Sequence, residues 1–192
     1  MSIDVITPTP AELHERFASI VAASLRIDPS LVVPSATLTE LGAESIDIVE
    51  ITLEVENAFS IVMPERSVLD AARDVIGPGA AVRDGRLTDF GSALLQRRLP
   101  EVDPARLEPG VLVADVNREF LRVETWLRLI AGIIERSPRR CASCDVALVQ
   151  GSPGQVACPR CGHVQVLPTG DQLAREWVVA AAKEIKGATR DA

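Results

Sequence analysis

The sequence predicts a mainly α protein: a four-helix bundle, then a helical module that carries one small metal-clipped segment. Three observations predict it. Apolar residues recur at helical spacing in most stretches between the prolines and glycines. Hydrophobic residues make up 47% of the 192-residue chain but aromatics only 3%, with no Tyr, so the core has to be built from Leu, Val, Ile and Ala. All four cysteines crowd into residues 141–161.

The elements follow in order. Residues 10–26 place Leu13, Phe17, Ile20, Val21 and Leu25 on one face, with Pro10 near the helix start. A long connection with two prolines and Gly42 leads to a second helix at about 45–60, which stops before Pro64. A short helical segment, "SVLDAARDVIG", comes next. "PGAAVRDG" breaks the regularity, and "LTDFGSALLQRRLP" forms the fourth helix with Thr88 as its N-cap. "EVDPARLEPG" reads as a linker. Beyond it, Val113, Val116, Phe120, Val123, Leu127, Ile130 and Ile134 stand in one helical register. The turn-rich cysteine segment occupies 139–168, and a last helix runs from Gly170 to near Gly187.

The net charge of −7 is uneven. Residues 1–75 hold 13 Asp/Glu against 4 Arg, giving −9, and the remainder carries +2. Such an acidic first part repels nucleic acid and anionic membrane and attracts basic protein surfaces. No apolar run reaches the roughly 18 residues needed to span a bilayer. "MSIDVITPTP" has neither a basic region nor a hydrophobic stretch, so no secretory signal and a cytoplasmic location are expected.

On about 100° per residue, the second helix sorts into three stripes. Ile48, Ile51, Val55 and Phe59 face a core. Asp47, Glu50 and Glu54 form an acidic stripe, and Ile46, Val49 and Leu53 an apolar one beside it. One buried face needs only the first, so the other two together suggest a docking surface for partner proteins. Ser45 stands where this helix begins. On local sequence it reads equally as an N-cap or as a chemically used hydroxyl. No G-x-S-x-G elbow surrounds it and the chain has only His14 and His163, so a self-activated nucleophile is not expected.

"LTELGAESIDIVEITLEVENAFSIVMP", Leu38 to Pro64, resembles the phosphopantetheine attachment region of acyl carrier proteins. The likeness covers about residues 8–76. Glu44 stands where that family usually has aspartate and Ile46 where it has leucine; both keep chemical character. The resemblance implies an acyl-carrier-like four-helix bundle in which a phosphopantetheinyl transferase attaches 4'-phosphopantetheine to Ser45. The arm's thiol would then carry acyl groups as thioesters. Ile46, Asp47, Val49, Glu50, Leu53 and Glu54 would dock acyl-transferring or condensing enzymes that bear basic patches. The resemblance makes this a carrier and not a catalyst, in fatty acid, polyketide or related lipid biosynthesis.

The cysteines read C-x2-C-x13-C-x2-C: Cys141, Cys144, Cys158 and Cys161. Two thiolate pairs at that spacing close a tetrahedral structural site, for which Zn2+ is the expected ion. Iron accepts the same four ligands, and disulfides are disfavoured in the cytoplasm. The segment resembles zinc ribbons, whose knuckles often read "CPRCG" as residues 158–162 do. Arg136, Arg139, Arg140 and Arg160 make a modest basic cluster, without aromatics in the ribbon for base stacking, so nucleic-acid binding is not expected.

The expected organisation is therefore an acyl-carrier-like domain at 1–100 with an insertion at about 77–86. A linker follows at 101–111, and then a module at 112–192 in which two helices flank the ribbon. The alternative is a zinc-ribbon interaction adaptor or regulator that never carries an acyl group, with Ser45 only a cap.

Overall fold

The computed structural model describes residues 8–188; the outermost seven and four residues of the two expected domains lie outside them. The fold is mainly helical, as the apolar periodicity predicts. Helix α1 spans Pro10–Leu25. Thr9 caps it: the Glu12 amide donates to Thr9 Oγ1 at 3.3 Å, and the Thr9 amide donates to the Glu12 carboxylate at 2.7 Å. Helix α2 spans Ser45–Phe59 and α3 Val68–Ile76, the latter closed at its start by a Ser67–Asp70 capping box.

The expected insertion is a small β-hairpin and not an irregular loop. Strand β1, Val82–Arg83, pairs antiparallel with β2, Arg86–Leu87. Asp84 and Gly85 make the turn, both at positive φ (50° and 72°), the geometry that Asp-Gly favours in two-residue hairpins. Helix α4, Asp89–Arg98, follows with Thr88 as N-cap, its Oγ1 accepting from the Gly91 amide at 3.0 Å. The hairpin presses on the first turn of α4. A Cβ at Gly91 would lie 2.0 Å from the Ala81 carbonyl oxygen, so Gly91→Ala has to displace backbone. The variant should lose about 3 kcal/mol, read from chemical denaturation with the slope m unchanged.

Residues 101–111 are packed chain and not a free linker. They include a 3-10 turn, Pro104–Leu107, and bury Val102 and Leu107. The single helix expected over 112–135 is broken. Its pieces are a one-turn helix α5 (Val113–Val116), a 3-10 turn (Glu119–Leu121) and helix α6 (Val123–Glu135). Arg122 between them is extended, at φ −68° and ψ 135°. Backbone pairing with the 34–38 segment causes the break. Leu38 N donates to Leu121 O, Val123 N to Ala36 O and Glu124 N to Pro34 O, all at 2.9–3.0 Å. A buried carboxylate, Glu119, sits at the same place and is held by Arg106 and by Arg122, the latter at 2.5 Å. Apolar periodicity carries no trace of that tertiary pairing.

The cysteine segment forms a three-stranded antiparallel sheet: β3 Val149–Gln150, β4 Gln155–Ala157 and β5 Val164–Val166 in the order β3-β4-β5. Helix α7, Gly170–Ala188, ends the described chain. Among the described residues no helix is long and apolar enough to cross a membrane.

Two large cores result, and each draws on chain from both sides of residues 101–111. The first joins Leu13, Phe17 and Val21 of α1 and Ile51, Val55 and Phe59 of α2 to Val123, Trp126, Ile130 and Ile133 of α6. Phe17 and Trp126 meet there with ring centroids 5.7 Å apart. The helix that completes this core is thus α6, where residues 88–100 were expected. Helix α4 goes instead to the second core, with α3 and α7; small residues (Ala71, Ala72, Ala174, Ala181) lie among the buried ones there. Phe120 and Trp177 are partly buried against this second core. Leu148, Val156, Leu167 and two cysteines form a third, much smaller core.

Candidate functional site

Ser45 is the first residue of α2, and Glu44, not Ser45, is the N-cap. The Glu44 amide is satisfied by Asp47, whose Oδ2 accepts from it at 2.8 Å. The Ser45 hydroxyl therefore has no capping duty. It is exposed and makes no hydrogen bond within the described chain. The reading of Ser45 as only a cap loses its basis.

The loop in front of Ser45 is tightly organised. Thr37 and Glu40 close a turn on each other, with Thr37 N to Glu40 Oε2 at 2.9 Å and Glu40 N to Thr37 Oγ1 at 3.2 Å. Ala43 N donates back to Leu38 O at 2.9 Å. The backbone pairing described above ties this loop to residues 121–124, and Arg122 adds a hydrogen bond to the Ser35 carbonyl at 2.7 Å. The N-terminus of α6 thus fixes the loop that presents Ser45. Sequence reading did not find Glu119 or Arg122, since neither stands in a motif.

Helix α2 sorts as its sequence predicts. Ile51, Val55 and Phe59 are buried and Ile48 is partly so. Ile46, Val49 and Leu53 are 71%, 53% and 54% exposed, an unusual degree for three large aliphatics in one stripe. Glu50 and Glu54 lie exposed beside them; Asp47 is half-buried, engaged at the helix end. Next to this face opens a cavity of about 710 Å3, bounded by α2, the 63–68 segment, α4 and α6. Volumes of this size are typical of small-molecule sites.

The four cysteines converge. Their Sγ atoms all lie within 4.8 Å of one another, and Cys141 Sγ is 3.8 Å from Cys161 Sγ. A tetrahedron with Zn–S bonds of about 2.3 Å has sulfur–sulfur edges of about 3.8 Å. All four are free thiols. Each pair sits on a tight knuckle: Cys141 N donates to Val146 O, and Cys158 N to His163 O. The Cys161 amide, opposed by burial and helped by the Arg160 amide, brings the Cys158 thiol down to about 7. Hydrogen bonding to Cys161 pushes Cys144 up to about 12. The donor set and its spacing fit a four-coordinate metal ion. His163 is exposed and outside the cluster. Arg136, Arg139, Arg140 and Arg160 are all exposed, and Arg140 is paired to Asp145 at 2.6 Å.

The ribbon is also joined to the carrier-like end of the molecule. Ser60 Oγ donates to Gly151 O at 3.2 Å and the Gly154 amide to Ser60 O at 3.2 Å; the Gly170 amide donates to Val62 O at 2.8 Å. The segment leaving α2 is held by the cysteine-bearing sheet on one side and by α7 on the other.

Comparison with known proteins places a family on this geometry. The family model for a phosphopantetheine attachment site matches residues 15–75. The chain is 36% identical over 69 residues to an acyl carrier protein of Thermosynechococcus vestitus, a match covering 34% of this chain and 85% of that protein. It is 35% identical over 74 residues to an acyl carrier protein of Rhodopseudomonas palustris, covering 38% of this chain and 89% of that protein. No solved structure matches the chain significantly.

Proposed function

The chain belongs to the acyl carrier protein family, and we propose that Ser45 is the residue that receives 4'-phosphopantetheine. One observation carries the assignment. Within the matched residues, the Ser45 hydroxyl is exposed, unbonded and set on the first turn of a 15-residue helix by a fixed loop. A phosphate on that oxygen sits beside the amides and positive dipole end of α2, where an anion is favoured. When bound, the arm supplies a thiol that holds acyl groups as thioesters.

The protein then acts as a carrier that other enzymes modify and use. The exposed Ile46, Val49 and Leu53, with Asp47, Glu50 and Glu54, form the face that meets them. Apolar contact supplies affinity, and the acids steer encounter with basic patches on the transferase and on acyl-transferring or condensing enzymes. A lipid or polyketide biosynthetic setting in the cytoplasm suits this role. We read the ion held by Cys141, Cys144, Cys158 and Cys161 as structural Zn2+, because four thiolates leave no open position for substrate.

Coexpression with a broad-specificity phosphopantetheinyl transferase tests the assignment by intact mass. The wild-type chain should gain one phosphopantetheine and Ser45→Ala none. An unmodified wild-type chain would leave only a metal-clipped interaction protein, and modification that persists in the alanine variant would place the arm elsewhere.

A further inference from the structure

The cavity beside α2 contains something that a shelter for a plain acyl chain does not need. Most of its wall is apolar, from Ile48 and Leu53 to Met63, Phe120 and Trp126. Two guanidinium groups, Arg98 of α4 and Arg128 of α6, also line it. Arg128 donates to Glu101 at 2.8 Å, yet its Nε is buried with no partner. Arg98 lies over the Trp177 ring, 5.2 Å from the centroid, and has no carboxylate within ion-pair distance among the described residues. Burial first, then the charge of Arg128, pulls the Arg98 pKa below the usual guanidinium range, while Glu101 opposes the fall.

Of the two cations, only Arg128 has a carboxylate partner, Glu101. Glu101 is itself fully used: burial acts to raise its pKa, but hydrogen bonds from Arg128 and Thr125 outweigh that and hold it below the usual carboxylate range. The other charged groups of the wall are accounted for. Glu56 accepts from the Met63 amide at 2.8 Å, Arg66 is paired to Asp74 at 2.7 Å, and Glu65 is exposed. A partly buried guanidinium without an anion is costly, and a second cation beside it adds to the cost. A planar carboxylate is the group that both would accept, with paired hydrogen bonds.

We infer that Arg98 and Arg128 receive a carboxylate at the far end of the carried acyl group, so that the cargo is the half-thioester of a dicarboxylic acid. The inference rests on the attachment of the arm at Ser45. Ile48, the first α2 residue to line the cavity, is three residues on, about 4.5 Å along the helix axis at 1.5 Å per residue. An arm rooted at Ser45 thus starts about one helical turn from the cavity wall. The arm's own phosphate is fixed to the serine oxygen and is not the anion that the arginines meet.

The test uses the full chain, loaded by a transferase from adipyl-coenzyme A or from hexanoyl-coenzyme A, a pair matched in length and differing in the terminal carboxylate. Intact mass establishes loading. Cleavage of each thioester by hydroxylamine is then timed and divided by the rate for the same acyl group on free pantetheine. Adipyl should be cleaved about tenfold more slowly than hexanoyl, the effect of about one charge-assisted hydrogen bond. The Arg98 Nε–H signal in nitrogen-15 spectra should move with adipyl alone. Arg98→Gln should abolish the difference and Arg98→Lys should keep part of it. Equal protection of the two cargoes, or a preference that survives in Arg98→Gln, would overturn the inference while leaving the carrier reading intact. A chain that takes no arm overturns both. Should Arg98→Gln fail to fold, the wild-type pair and its arginine signal still decide.

Discussion

Cys158→Ser is expected to strip the metal from residues 139–168 and melt their three-stranded sheet. The effect should be large because little else holds that segment. Its own core consists of Leu148, Val156, Leu167 and two of the cysteines, and its strands are two or three residues long. About thirty residues cannot bury enough apolar surface to fold unaided, and a structural zinc ion supplies on the order of 10 kcal/mol in isolated zinc peptides. Metal analysis of the purified variant should fall from one ion per chain to near zero. Amides of β4 and β5 should exchange with solvent at least about a thousandfold faster, as befits loss of a local unit worth several kcal/mol. The Gly154–Ser60 and Ser60–Gly151 hydrogen bonds go with the sheet, so faster exchange should spread to the segment leaving α2. Transfer of the arm to Ser45 should persist, since the loop before it is tied to α6 and not to the ribbon. A metal-free wild-type chain, or unchanged exchange in the variant, would refute the structural role of the four thiols.

What could be read from the sequence followed from how local each constraint is. The faces of α1 and α2 were legible because each packs one stripe inward, so the period of apolar residues maps onto burial. The convergence of the cysteines was legible because two close pairs joined by a turn-bearing spacer can bring four Sγ atoms together. The hairpin at 82–87 has one local mark, Asp84-Gly85, which the neighbouring prolines and glycines mask. Other features leave no local mark. Nothing between residues 88 and 135 says that α4 turns to α3 and α7 while α6 completes the core of α1 and α2. A chain cut after residue 111 would lose Val123, Trp126, Ile130 and Ile133 from that core. The break at Arg122 comes from pairing with residues more than eighty positions away. Arg98 and Arg128 look like ordinary surface arginines in a chain where Arg outnumbers Lys by 18 to 2; only the fold shows them lining one cavity.

Glu119→Ala should be the most damaging single change outside the cysteine segment, with a consequence at Ser45, a site that Glu119 does not touch. The Glu119 carboxylate is 3% exposed and held by two arginines, and its backbone carbonyl accepts from Thr125 Oγ1 at 3.3 Å. Removing it leaves Arg122, which is largely buried and whose Nε already lacks a partner, without its counter-charge. Breaking a buried pair in this way costs about 3–5 kcal/mol, and Tm should fall by about 10 °C. Glu119→Gln keeps a hydrogen-bond acceptor and should lose less. Arg122 also holds Ser35 by its carbonyl, and the residues on either side of it pair with residues 34–38. That strip leads directly into the turn before Ser45. Loosening it should let the serine sample more positions, so kcat/KM for arm transfer should drop several-fold at a temperature where the variant is still folded. The two readouts separate two roles for the buried carboxylate. A fall in Tm with an unchanged transfer rate would make Glu119 a stabilising group alone; a fall in both ties the presentation of the serine to a charge cluster that helix α6 and its preceding turn built beneath it.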